Sequence, residues 1–481
     1  MSLDLLIGGQ MVAAEGGRTY ERVDPVTGEV ATTAAAASVA DALKAVAAAE
    51  AAFQDWSVTG PEARRTVLVK AAEIMEARSG AFIDAMVTET GATQIWAGFN
   101  VHLAAGMLRE AGAMTTQIGG EVIPSNKPGT LAMAVAKPRG VCLGIAPWNA
   151  PVILGTRAVA TALACGNTVV LKSSELCPTV HRLIGECLVE AGIPAGVVNV
   201  ISNAPEDAAA VVRALIEAPA VRHVNFTGST GVGRIIGRLA GENLKPALLE
   251  LGGKAPFVVL EDADLDGAVN AAIFGSFMNQ GQICMSTERI IVVEAVADAF
   301  IAKLAAKAAS LPHGNPREQV VLGALVTERA AEKMDALIAD ATAKGAKLIA
   351  GGAREGAIHS ATLLDGVTPG MRIYAEESFG PVKSIIRVKD ADEAIATAND
   401  TDYGLSSAVF SQDIAKALDA ANRIQSGICH VNGPTVSDEP QMPFGGVKDS
   451  GFGRFGGKSG IAEFTVQRWI TIEDPKQHYP F

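Results

Sequence analysis

Hydrophobic and polar positions change their spacing along the chain, and these changes divide it into regions. Residues 33–53 are rich in alanine and predict a helix, and residues 61–115 predict further long helices with breaks at Gly80 and Gly91. Between 117 and 138 the pattern predicts short β segments, at 121–124 and 131–135. We interpret this stretch as an excursion from the surrounding domain.

Apolar strand patterns then alternate with amphipathic helical patterns. Between 140 and 260 the predicted strands are 141–145, 168–172, 197–201 and 223–227. A second alternating region from about 255 to 450 has strands such as 289–293 and 407–410. Residues 464–472 predict a closing strand that pairs with the excursion or with a partner subunit. Strands separated by helices favour a doubly wound parallel sheet, so the predicted fold class is α/β with a second α/β domain.

Length and charge limit the possible functions. A chain of 481 residues is long enough for two or three domains. Its 40 lysines and arginines are outnumbered by 52 acidic residues, which gives a formal net charge of −12. This negative charge disfavours nucleic acid and anionic membranes as partners. The N-terminus has no signal-peptide pattern, and polar residues and prolines interrupt the apolar stretch 140–171. A cytoplasmic protein without a membrane span is predicted.

Cysteine and histidine positions predict neither disulfides nor a metal site. The six cysteines are scattered without a C-x-x-C pair, which favours reduced thiols. The seven histidines show no spacing typical of metal ligands, so no metal is predicted.

Three residues carry candidate chemistry. Cys284 follows a polar, turn-prone segment at 279–282, which favours an exposed thiol, although most cysteines only pack. Glu250 ends an apolar strand, where a partly desolvated carboxylate can act as a base or can simply be a surface glutamate. Asn149 lies between two prolines and can donate to developing negative charge or form a structural turn.

A glycine-containing turn at 226–234, FTGSTGVGR, follows a predicted strand and opens a helix. Its amides can hold a pyrophosphate, but Thr230 replaces a glycine of the G-x-G-x-x-G pattern, so a plain connection fits equally well. A P-loop ending at Ser459 is disfavoured because Phe452 stands where its first glycine is needed.

Taken together, these segments resemble the aldehyde dehydrogenase superfamily over almost the whole chain. The motifs that carry the resemblance are LELGGK at 249–254, GQIC at 281–284, EESFGP at 376–381 and PFGGVKDSGFGR at 443–454. The resemblance implies an NAD-binding domain (1–116 and 139–250), a catalytic domain (251–455) and a small β oligomerisation arm (117–138 and 456–481). A homodimer or homotetramer is implied as well.

The resemblance also implies residue roles. Cys284 is the expected nucleophile, Glu250 the general base, and Asn149 with the backbone amide of Cys284 the oxyanion hole. The cofactor-binding residues that it implies are Ile145, Trp148, Lys172, Glu175, Gly228, Ser229, Gly233, Leu251, Glu377 and Phe379. NAD is the predicted cofactor because Glu175 would repel a 2′-phosphate, although the hydroxyls of Ser173 and Ser174 leave NADP possible.

The stretches GIAPWNAPVILG at 144–155, MNQGQICMSTER at 278–289 and HVNGPTV at 430–436 resemble bacterial salicylaldehyde and vanillin dehydrogenases. This narrower resemblance implies oxidation of an aromatic aldehyde to the acid through a cysteine thiohemiacetal and a thioester. The substrate residues that it implies are Trp96, Ala150, Leu154, Arg157, Met278, Ile283, Met285 and Val436. Arg157 would bind a ring hydroxyl or an acidic substituent, or form a salt bridge. Asp438 and Glu439 would disfavour anionic aldehydes if both faced inward. An aliphatic aldehyde or semialdehyde dehydrogenase and a catalytically silent binding protein are the alternatives.

Overall fold

The computed structural model describes residues 2–481, and its first part combines short strands with long helices. The elements are β1 (Leu5–Ile7), β2 (Gln10–Val12), β3 (Thr19–Val23), β4 (Val30–Ala35), α1 (Val39–Val58), α2 (Pro61–Ala77), α3 (Ser79–Thr90) and α4 (Gln94–Met114). The prediction of a helix from residue 33 is wrong at its start. Residues 30–35 pair with β3, and the helix begins only after Ser38, whose side chain and that of Asp41 form a capping box.

The excursion and the first alternating region follow. They comprise β5 (Gly120–Ile123), β6 (Leu131–Pro138), β7 (Val141–Ile145), α5 (Pro151–Ala164), β8 (Thr168–Lys172), α6 (Pro178–Glu190), β9 (Val198–Ile201), α7 (Ala208–Glu217), β10 (Val221–Thr227), α8 (Thr230–Glu242) and β11 (Ala247–Glu250). Every residue of β7, β8 and β9 is buried, which explains their continuous apolar pattern, because helices cover both faces of a parallel sheet.

The second alternating region forms a separate sheet. Its elements are β12 (Ala255–Val259), α9 (Leu265–Phe277), β13 (Thr287–Val293), α10 (Glu294–Ala309), α11 (Glu328–Ala343), β14 (Lys347–Ala350), β15 (Arg354–Glu355), β16 (Ile358–His359), β17 (Thr362–Asp365), α12 (Arg372–Ala375), β18 (Val382–Val388), α13 (Ala391–Asn399), β19 (Ser406–Phe410), α14 (Ile414–Arg423) and β20 (Ile428–Val431). The chain ends with β21 (Gly451–Phe452), α15 (Gly457–Phe464) and β22 (Thr465–Ile472).

Strand order defines two main sheets and confirms the predicted α/β fold class. The first runs β2-β1-β9-β8-β7-β10-β11-β21, parallel from β9 to β11 with antiparallel edges. The second runs β14-β17-β18-β13-β12-β19-β20 and is parallel except for β14. The closing strand β22 pairs antiparallel with β6, from Thr465 opposite Pro138 to Ile472 opposite Leu131. Of the two pairings expected for this strand, the structure therefore contains the one with the excursion.

No helix within residues 2–481 is both long and apolar enough to cross a membrane. The six cysteines all carry free thiols, and four of them are buried.

Candidate active site

The first sheet changes direction between β7 and β10, and a cleft opens at the carboxyl ends of these two strands. From β7 the chain proceeds to β8 and β9 on one side, whereas β10 leads to β11 on the other. Such a switch point is where open α/β sheets bind ligands. The cleft has a volume of about 240 Å³ and is lined by Pro147, Trp148, Asn149, Thr227, Gly228, Ser229, Glu250, Leu251, Gly252, Cys284, Glu377 and Phe379.

A second cavity meets this cleft at Asn149 and Cys284, which line both. This cavity, here called the tunnel, has a volume of about 280 Å³. It is lined by Ile95, Trp96, Phe99, Leu103, Asn149, Ala150, Ile153, Leu154, Arg157, Phe274, Met278, Ile283, Cys284, Met285, Val436, Ser437, Asp438 and Phe444. A thiol therefore lies where the cleft and a mainly apolar tunnel meet.

The loop before Cys284 is held in an unusual backbone conformation. Asn279 and Gln280 adopt positive φ angles of 49° and 56°. The Gln280 side chain donates to the carbonyl of Ala324 over 2.8 Å, and that of Asn279 donates to the carbonyl of Asn149 over 2.9 Å. These bonds compensate the strain and fix the position of the thiol.

Within the described part of the chain, residues 2–481, Asn149 keeps one amide hydrogen free for a ligand. Its Nδ2 donates to the carbonyl of Gln282 over 3.0 Å, and its own carbonyl accepts from the indole nitrogen of Trp96 over 3.1 Å. Because a side-chain amide carries two N–H donors, the second remains available beside Cys284. This arrangement suits the oxyanion role that the sequence predicts.

Glu250 is 1% exposed, and within residues 2–481 neither of its carboxylate oxygens has a hydrogen-bond partner. Burial raises its pKa to about 7, against smaller opposing effects of the Cys284 thiol and Arg157. Burial also raises the pKa of Cys284 well above its usual value, and the nearby Glu250 charge adds to this shift. The thiol consequently needs a base to become a nucleophile, and a carboxylate with a pKa near 7 is matched to that task.

Glu377 and Phe379 form the wall of the cleft that faces Trp148. The backbone amide of Gly253 donates to Glu377 over 2.9 Å, and burial raises the pKa of Glu377 to about 7. Phe379 has a positive φ of 51°, and its ring meets that of Trp148 edge-on with centroids 5.7 Å apart. Both side chains of this wall are therefore held by contacts with neighbouring residues.

The glycine turn fits a dinucleotide phosphate. A Cβ atom at Gly228 would lie 2.5 Å from the Phe226 ring, and one at Gly233 would lie 2.3 Å from Leu251. Helix α8 begins in this turn, and its N-cap residue Ser229 makes no side-chain capping bond. The first backbone amides of α8 are thus available to bind an anion. The backbone at Gly228 and Gly233 also lies close to Phe226 and Leu251, and nucleotide-binding turns require such a close approach.

Not all predicted cofactor residues line the cleft. Those that do are Trp148, Gly228, Ser229, Leu251, Glu377 and Phe379, whereas Ile145, Lys172, Glu175 and Gly233 lie outside its lining. Glu175 pairs with Lys172 and accepts a bond from Asn203 over 3.1 Å at the end of β8. Sequence reasoning missed Pro147, Thr227 and Gly252, each of which adjoins a residue that it named.

All eight predicted substrate residues line the tunnel, and their roles stay predictions. The residues that sequence reasoning missed include Ile95, Phe99 and Leu103, which lie four residues apart on α4. Ile95 is 70% exposed and Phe99 is 44% exposed. Their apolar side chains recur at helical spacing in the sequence, and this pattern is the signal that could have identified the tunnel opening.

Arg157 forms an ion pair with Asp438, so the salt bridge expected as one possibility is present. Glu439 is exposed and does not line the tunnel, which means that only one of the two neighbouring carboxylates faces inward. Among the residues that the structure describes, no three histidine, cysteine or acidic side chains converge as a metal site would require.

Known proteins similar to this chain share its full length. Residues 11–470 match the model of the aldehyde dehydrogenase family. A vanillin dehydrogenase of Pseudomonas fluorescens is 60% identical over 481 residues, with all of both chains covered. A salicylaldehyde dehydrogenase of Pseudomonas putida is 48% identical with the same coverage. The crystal structure of a salicylaldehyde dehydrogenase from Pseudomonas putida G7, complexed with salicylaldehyde, superposes with a TM-score of 0.98 at 48% identity and covers all of both chains.

Proposed function

Because the chain belongs to the aldehyde dehydrogenase family, we propose that it oxidises aromatic aldehydes to carboxylic acids with NAD. The observation that carries the proposal is the meeting of cleft and tunnel at Cys284. The tunnel is apolar near Trp96, and the relatives named for vanillin and salicylaldehyde are similar over the full length. These features support a small aromatic ring as the substrate.

In the proposed reaction, the Cys284 sulfur bonds to the aldehyde carbon while Glu250 takes the thiol proton. The carbonyl oxygen becomes an alkoxide, which accepts from the free amide hydrogen of Asn149 and from the backbone amide of Cys284. Loss of one such donor typically costs about 3 kcal/mol of barrier. A bound nicotinamide dinucleotide supplies the acceptor for the hydride that leaves this carbon.

The acyl group then remains on Cys284 as a thioester. Glu250 first releases the thiol proton to solvent and then takes a proton from water, whose oxygen bonds to the acyl carbon. The carbon–sulfur bond breaks, the acid is released, and the Cys284 thiolate takes back a proton from Glu250. The buried carboxylate without partners is suited to this step, since no protein donor competes for its lone pairs.

Family membership establishes a nicotinamide cofactor, and we propose NAD as the preferred form. Glu175, held by Lys172 and Asn203, would place a fixed negative charge near the adenosine ribose and repel a 2′-phosphate. The residues proposed to hold the phosphate are Gly228, Ser229 and Gly233.

The β5, β6 and β22 sheet is proposed as the arm that joins subunits, because Val122 and Trp469 on it are 72% and 79% exposed. Light scattering should give the mass of two or four chains.

A substrate panel tests the proposal. Formation of reduced cofactor is followed at 340 nm with salicylaldehyde, vanillin, benzaldehyde, hexanal and succinic semialdehyde, each with NAD and NADP. We expect the aromatic aldehydes with NAD to be the best pairs, and Cys284→Ala to abolish turnover while the protein stays folded. Preference for hexanal or succinic semialdehyde would support the alternative substrate classes. Equal rates in wild type and Cys284→Ala would refute the proposed nucleophile.

A further inference from the structure

Two charged side chains line the tunnel within residues 2–481, and they neutralise each other. Arg157 on α5 and Asp438, in the segment after β20, form an ion pair, with side chains only 6% and 9% exposed. Every other lining side chain is uncharged. The Cys284 thiol is neutral until a base takes its proton, so the resting tunnel carries no net charge, although a buried arginine lies in its wall.

The geometry leaves Asp438 as the carboxylate that balances Arg157. The guanidinium also packs against aromatic rings, with its carbon 4.3 Å from the centroid of Phe444 and 5.9 Å from that of Phe455. Neighbouring Glu439 lines a small cavity together with Arg157, but within residues 2–481 it forms no ion pair with it. Glu439 is exposed and accepts instead from the side chain of Gln441 over 2.6 Å. Loss of the Asp438 charge would leave an uncompensated buried cation in the tunnel wall.

We propose that Asp438 is a specificity-determining residue, which cancels the charge of Arg157 and so restricts the tunnel to aldehydes without a formal charge. This inference rests on the proposed function. A carboxylate on the substrate would lose its hydration in an apolar cavity and would find the only cation already paired. A methoxy group or a protonated hydroxyl on the ring brings no formal charge and is not excluded in this way. Without the Asp438 carboxylate, Arg157 becomes a binding partner for an acidic aldehyde.

Two probes of nearly equal shape and different charge test the inference. 4-Nitrobenzaldehyde and 4-formylbenzoate carry a planar nitro group and a planar carboxylate at the same ring position. We compare the ratio of kcat/KM for the anionic probe over the neutral one across variants, because intrinsic reactivity cancels in that comparison. The full chain with NAD is used throughout.

Wild type should favour the neutral probe. Asp438→Asn, which keeps the shape, should raise the anionic-to-neutral ratio about tenfold or more, since a buried cation and an anion then meet at close range. The double variant Arg157→Met with Asp438→Asn should return the ratio to the wild-type range. Glu439→Gln is the matched control, because it removes the adjacent carboxylate outside the tunnel, and its ratio should equal that of wild type.

The inference is overturned if wild type oxidises 4-formylbenzoate as well as the nitro compound, or if the double variant keeps the gain. It is also overturned if Asp438→Asn lowers kcat/KM for both probes by the same factor. If Asp438→Asn does not fold, wild type and the double variant still test the inference, because residues 157 and 438 together carry no net charge in either protein. Their anionic-to-neutral ratios should then be similar. A wild type that oxidises neither probe nor benzaldehyde would instead refute the proposed function.

Discussion

Glu250 and Glu288 are both almost completely buried, yet their surroundings are opposite. Glu250 has no partner for either oxygen within residues 2–481, and burial raises its pKa to about 7. For Glu288, burial acts in the same direction, but the charges of Lys254 and Lys383 outweigh it and lower the pKa to about 2. Burial alone therefore does not make a carboxylate a base, and the number of donors around it decides.

The donors around Glu288 are two lysines and Ser378, a residue of the segment that forms the cofactor wall. Lys254 and Lys383 donate to it over 2.8 and 3.0 Å, and the Ser378 amide and hydroxyl donate over 2.8 and 2.6 Å. Ser378 stands between Glu377 and Phe379. Glu288 therefore holds the wall in position, while Glu250 is left free for chemistry.

The largest expected effect comes from replacing the carboxylate that has no donors. Glu250→Gln should reduce release of the acid from the thioester by about 10²–10⁴-fold, the usual contribution of a general base. Rapid-mixing measurements at 340 nm should show one burst of reduced cofactor per site and then little turnover. Unchanged steady turnover would show that another group serves as the base.

Glu288→Gln should affect stability more than chemistry. The substitution keeps the shape but leaves Lys254 and Lys383 buried without a counter-charge, which typically costs about 3–5 kcal/mol. We expect a lower thermal unfolding midpoint and a higher KM for NAD, because the wall loses its anchor. Adding Lys383→Met should recover part of the midpoint, since one unpaired cation is then removed.

A matched control is Glu294→Gln, because Glu294 is exposed and contacts Arg387 only at 3.4 Å. Its unfolding midpoint should stay close to that of wild type. Equal shifts of the unfolding midpoint in Glu288→Gln and Glu294→Gln would contradict the structural role assigned to Glu288.

The contrast between these glutamates also shows what the sequence can and cannot predict. The buried parallel strands were predicted to within two residues because their apolar runs are continuous, and the motifs identified Cys284 and Glu250. Nothing local distinguishes Glu288, whose partners Lys254, Ser378 and Lys383 lie 34, 90 and 95 residues away. Arg157 and Asp438 are 281 residues apart, so only the fold reveals that their charges cancel. The three-residue strands β1 and β2 are too short to show a period.

The smallest expected effect is a pH dependence, and its sign differs between the two glutamates. The folded-state pKa of Glu250 is raised from 4.5 to about 7, so the proton is held more tightly in the folded protein, and this contribution to stability is lost as pH rises through that window. The folded-state pKa of Glu288 is lowered to about 2, so its contribution to stability is present above pH 4.5 and is lost as pH falls from 4.5 towards 2.

The rate of acid release should rise about tenfold per pH unit below pH 7 and level off above it, since only the carboxylate form of Glu250 accepts a proton.

Glu377 must be separated from Glu250 in this measurement, because burial raises its pKa to about 7 as well. The two differ in what touches them, since Glu377 accepts a backbone N–H from Gly253 and Glu250 accepts none. In single-turnover assays of acid release between pH 5 and 9, Glu377→Gln should keep the rise below pH 7, and the residual rate of Glu250→Gln should lose it. If Glu377→Gln alone abolished the rise in rate with pH, Glu377 would be the base. The conclusion drawn from Glu250 and Glu288, that the buried carboxylate without donors serves as the base, would then not hold at this site.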